Sequence, residues 1–133
     1  MNLEINDIPR IHFLHQLWEN ELKFCKEEIN IYEHHLERLV THFSDRKVLA
    51  ELEQLQNQFI RQKEVIDELK HEIHVQDKEI CLAAKKGLNF EVIEHSKLEE
   101  DMRIFRKLFA EIKNHFHLFI RKNKVENYED IEC

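Results

Sequence analysis

Ten histidines stand beside 27 acidic residues in a chain of 133, so imidazole and carboxylate are the groups with which this protein could do chemistry. Together they suit zinc, iron or manganese. Spacing narrows the choice. Glu19 follows His15 by four residues, Glu99 follows His95 by four, and Glu91 precedes His95 by four. On a helix such pairs share a face, which makes His15, His95, Glu91, Glu19 and Glu99 the candidate metal ligands. Glu72 and Glu79 stand within a turn of the same level as further acceptors. The same imidazoles also serve as a structural, hydrogen-bonded layer. That layer is the preferred reading, with no cofactor expected and iron, manganese or zinc as the alternative. Buried imidazoles resist protonation, the more so in pairs, so acidification should loosen this end first.

Other chemistry is poorly supplied. The three cysteines are odd in number and lack a C-x-x-C spacing, so no disulfide framework is expected. Cys25 lies in an apolar stripe and reads as a small hydrophobe. Cys81 lies off the stripe at another level, so no bridge to Cys25 is expected. A single Gly cannot build a phosphate cradle. No Ser/His/Asp or Cys/His nucleophilic arrangement follows from the spacing, and no catalytic residue is expected. Metal-binding bundles offer two patterns for comparison. Di-iron carboxylate bundles need Glu-x-x-His on two helices, and this chain has one, Glu68-Leu69-Lys70-His71, with an outward heptad phase. The paired histidine motifs of hemerythrin-like proteins are absent, so neither resemblance holds. His34, His35, His115 and His117 read as a loose surface cluster, and His42, His71 and His74 as surface residues without a convergent partner.

Elements of one kind must position these residues. One Gly, one Pro, 35% charged and 42% hydrophobic residues exclude a protein of many short strands and fit amphipathic helices. Asn6-Asp7-Ile8-Pro9 predicts a helix start capped by Asp7, with Pro in the first turn. Helix 1 should span about 8–43. Its apolar rhythm of alternating three- and four-residue steps fails after Phe43 and restarts in a new phase at Val48, so the chain should turn at Ser44-Asp45. Helix 2 should span about 45–86 and end at Lys85-Lys86-Gly87, cations on the helix dipole with Gly beyond. Helix 3 should span about 89–122, capped by Asn89 with Leu88 stapled to Ile93. The acidic segment 123–133 reads as frayed.

Short connections make neighbouring helices antiparallel, which allows an arithmetic test. Facing positions on helices 1 and 2 should have residue numbers with a constant sum, here 91. Those on helices 1 and 3 should have a constant difference, here 80. The resulting layers run from Ile11/Ile80/Glu91 and His15/Gln76/His95 through Trp18/Ile73/Leu98, Leu22/Leu69/Met102 and Cys25/Ile66/Phe105. They continue through Ile29/Gln62/Phe109, Tyr32/Phe59/Ile112, Leu36/Leu55/Phe116 and Leu39/Leu52/Phe119 to Phe43/Val48/Asn123. Most positions are apolar. The chain is therefore read as one all-α domain over 1–133, an up-down-up antiparallel bundle of three long helices with heptad-type packing. Gln62, Gln76 and Tyr32 form its expected core polar network, Tyr32 supplying the hydrogen bond of Gln62.

Surface composition addresses partners. The net charge of −7 argues against nucleic acid, and no apolar run is long enough to span a membrane. The N-terminus shows no secretory pattern, so a reducing, cytoplasmic setting is expected. Segment 88–102 is acidic and 103–124 basic. Glu27 facing Lys107 and Glu33 facing Lys113 would account for the basic part within the bundle. Apolar residues beyond the layers are more informative. Leu14, Leu17, Phe24 and Ile31 form a second line on helix 1, with Ile104 and Leu108 of helix 3 at nearly the level of Phe24. Such a stripe suits docking. The leading expectation is a non-enzymatic bundle acting by protein–protein association, as a homodimer through this stripe. The alternative is a metal-binding or metal-dependent redox bundle whose site lies where helices 1 and 3 start.

Overall fold

The computed structural model of the chain describes residues 2–3, 7–87 and 90–123, with side chains described for 7–87 and 95–123. Three helices dominate: α1 (Ile8–Leu39), α2 (Arg46–Lys86) and α3 (Val92–Lys122). Two short strands, β1 (Asn2–Leu3) and β2 (Phe90–Glu91), pair antiparallel with Asn2 opposite Glu91 and Leu3 opposite Phe90. The helices form a three-helix bundle, and α2, at 41 residues, is about 60 Å long at 1.5 Å per residue.

The helix ends follow local chemistry. Pro9 occupies the first turn of α1, but Asp7 makes no side-chain cap and lies 3.9 Å from Arg10. α1 closes at Leu39 rather than near Phe43. The Thr41 hydroxyl and amide both reach back to the Arg38 carbonyl, at 2.9 and 3.4 Å, and His42 N–H bonds to Leu39 at 2.9 Å. These three-residue bonds tighten the last turn and stop it propagating. Phe43, now in the connection, folds onto Phe119 with ring centroids 5.8 Å apart. Asp45 caps α2 through bonds from the Lys47 and Val48 amides at 2.8 and 3.2 Å. Gly87 ends α2 in the left-handed region at φ 69°, which a side chain would strain.

α3 begins at Val92, three residues later than the sequence suggests. Phe90 and Glu91 instead pair with Leu3 and Asn2, so their backbone groups serve a strand rather than a first helical turn. Asn89 as cap, the Leu88–Ile93 staple and the segment 124–133 lie outside the described residues.

The layer arithmetic describes the core. Leu22, Ile29, Leu36, Leu55, Phe59, Ile66 and Met102 are fully buried. Every buried residue among those described belongs to a layer except Ile8 and His35. The polar layer His15/Gln76/His95 divides the interior, with Ile8, Ile11 and Ile80 on one side and the main core from Trp18 to Phe119 on the other. The flanks obey a second arithmetic. Arg106 to Glu21, Lys113 to Glu28 and His117 to Tyr32 all differ by 85, five beyond the layer constant. This is the stagger between flanking heptad positions of parallel helices. It corrects the expected ion pairs: Lys113 meets Glu28 at 3.3 Å, and Glu33 meets Lys63 at 2.7 Å.

Candidate functional site

The polar layer sits near the start of α1. His15 is 2% exposed, and its Nδ1–H donates to Asp77 Oδ1 at 2.9 Å. His95 stacks on Trp18, interplanar angle 10° and centroid distance 5.8 Å, and its ring lies 6.0 Å from that of His15. The inner nitrogens, His15 Nε2 and His95 Nδ1, are buried without a hydrogen-bond partner. Burial, and then the neighbouring His15, hold the His95 imidazole below its ordinary pKa. Glu19 and Glu99 do not enter this layer. Glu19 is half-exposed and lies 3.6 Å from His74, while Glu99 is exposed. Glu91 contributes backbone to β2, and its side chain lies outside the described residues.

The ligand-type atoms that converge lie beside the layer, on the α1–α2 flank. His12 Nδ1–H donates to both oxygens of Asp77 at 2.9 Å, so the carboxylate receives His12 and His15 together. Cys81 stands one turn along α2 from Asp77. One ligand atom each from His12, Asp77 and Cys81 lie within 4.8 Å of one another, all three residues partly exposed. Gln16 Nε2 approaches the other His12 nitrogen at 3.4 Å. Sequence reasoning missed this group because it followed the core stripes. The available signal was the flank: His12 and Asp77 sum to 89, two short of the layer constant, and Asp77 and Cys81 share a face at i, i+4.

The remaining polar residues separate. Tyr32 OH bonds His117 Nε2 at 3.1 Å rather than Gln62, whose buried Oε1 has no hydrogen-bond partner. His115 faces Gln58 and Glu51, His34 faces Arg38, and His35 is buried, so the four histidines do not form one surface cluster. Cys25 and Cys81 are free thiols, and burial with Glu21 and Glu28 nearby pushes Cys25 up to about 11. A thiol so disposed is not a nucleophile at neutral pH.

The residues expected to form one apolar stripe fall on different faces. Phe24 is 72% exposed, and Phe13, Leu17 and Ile31 are exposed along the same side of α1. Leu14 turns inward and packs on the core. Ile104 and Leu108 share the level of Phe24 but not its face. They line a groove of about 500 Å³ between α2 and α3 with Val65, Leu69 and His71. Comparison with family models, curated proteins and solved structures finds no match. No helix among the described residues is long and apolar enough to cross a membrane.

Proposed function

We propose that this bundle acts by protein–protein association, as a homodimer through the outer face of α1, without chemistry of its own. The observation that carries this reading is the line Phe13, Leu17, Phe24 and Ile31, exposed although the core is complete without it. Leu17, Phe24 and Ile31 recur every seven residues. A second copy laid antiparallel across a two-fold axis at Phe24 would bring Phe24 onto Phe24 and Leu17 onto Ile31, the self-complementarity that an isologous contact needs. Two of the charges beside the line are already satisfied internally, Glu21 by Arg106 and Glu28 by Lys113, which lowers the cost of covering that edge. Arg103 with Glu100 and Lys122 with Glu51 take up further cations of the basic segment. Their pairing supports a role in the bundle rather than contact with nucleic acid.

Light-scattering mass in solution tests this reading. Phe24→Asp should convert a dimer to a folded monomer, weakening association by about 2 kcal/mol or more, as for a central aromatic anchor. Leu108→Asp, in the α2–α3 groove, should leave the mass unchanged. A monomeric native protein, or a mass insensitive to Phe24→Asp, would overturn the dimer.

A further inference from the structure

The geometry points to a divalent metal site on the α1–α2 flank, with His12, Asp77 and Cys81 as ligands and zinc as the ion it fits. This goes beyond association and does not rest on it. Three donors of different type, imidazole, carboxylate and thiol, bring one atom each within 4.8 Å of one another. Both helices contribute, so the set exists only in the folded protein. A thiolate with imidazole selects zinc over magnesium or calcium, and over manganese, which prefer oxygen donors. The ligands would supply two negative charges, from Asp77 and from Cys81 after its thiol proton passes to solvent, and these neutralise the ion. Their partial exposure leaves the fourth tetrahedral position to water.

The support beneath the site is also present. A metal-binding carboxylate is usually oriented by a hydrogen bond from a neighbour. His15, buried and fixed in the polar layer, donates to Asp77 Oδ1 at 2.9 Å. His15 is thus a positioning residue, and the layer, which the sequence offers as a ligand set only in the alternative reading, becomes the floor of the site. His12 exchanges its present bond to Asp77 for a bond to the ion, so binding costs no core contact.

Titration of the full chain, reduced, with cobalt(II) chloride tests the assignment, because thiolate-bound cobalt has a near-ultraviolet charge-transfer band. The expected result is one cobalt per chain, with a band that zinc(II) bleaches. Cys81→Ser should abolish the band, while Cys25→Ser and Cys133→Ser retain it. His12→Ala should weaken binding at least tenfold, and because His12 lies partly exposed this variant tests the site without disturbing the core. His15→Gln should weaken it by roughly 10–100-fold while keeping the band. Absence of a band at millimolar cobalt, a band surviving Cys81→Ser, or affinity unchanged in His12→Ala would each overturn the site. Circular dichroism of each variant separates loss of metal from loss of fold.

Discussion

Single residues in the polar layer set how this protein should respond to acid. His95 is held below its ordinary value of 6.5 by burial, then by His15. In the unfolded chain it protonates normally, so between its lowered folded value and 6.5 the unfolded state binds more protons. Stability from this group is complete above 6.5 and is lost as pH falls below it. The urea midpoint should therefore drop as pH falls through 6.5. His95→Leu should flatten that drop while giving up the stack on Trp18. An equal drop in wild type and variant would show that other groups carry it. Gln62 poses a separate question of the same scale. Its Oε1 is buried without a hydrogen-bond partner, and an unsatisfied acceptor costs about 1–3 kcal/mol. Gln62→Leu should raise the urea midpoint; a lower midpoint would mean that the amide contributes more than its buried oxygen costs. That Tyr32 bonds His117 instead of Gln62 was not legible beforehand. Tyr32 and Gln62 belong to neighbouring layers, and side-chain direction rather than level chooses the partner.

Elements were specified mainly by their ends. The break after Phe43 carries no Gly or Pro and shows as a phase slip beside Ser44-Asp45, residues suited to capping a helix, and Asp45 caps α2 there with two amide bonds. Asp45→Ala should cost about 1 kcal/mol of unfolding free energy, read from urea denaturation; an unchanged value would mean that water replaces the carboxylate. The start of α3 was misjudged because its capping pattern is local, whereas the competing partner, Asn2–Leu3, lies nearly ninety residues away. A distant strand that pairs with Phe90 and Glu91 leaves no mark in the neighbourhood of Asn89. The flank pairs were misjudged for a simpler reason. Facing positions were assigned the layer constant, but flanking positions of parallel helices are staggered by five, as Glu21–Arg106 and Glu28–Lys113 are.

At the scale of the whole molecule, the bundle separates its candidate surfaces by helix face. The apolar line of α1 lies on the side whose neighbouring residues, Glu21 and Glu28, meet α3. The His12/Asp77/Cys81 group lies in the α1–α2 flank. Ile104 and Leu108 belong to the α2–α3 groove. Independent faces should respond independently. Phe24→Asp should leave cobalt affinity unchanged within about threefold, and Cys81→Ser should leave the solution mass unchanged, since sites without shared partners are additive. Cobalt affinity that falls with monomer formation would place the metal at the contact between copies.

The all-α class, the three long helices, their antiparallel order and nearly all the residues that fill the core were determined by the sequence alone. The reason is that heptad packing repeats one short-range rule many times, so errors at single positions do not propagate, and two constants describe the whole interior. Tertiary structure alone decided which polar atoms meet. A shift of one heptad position keeps a residue at its level but turns it toward a different neighbour, as Leu108 turns to α2 while Phe24 remains outside. His12, Asp77 and Cys81 come from different turns of two antiparallel helices, and only the rotation of α1 against α2 brings their donors to one point.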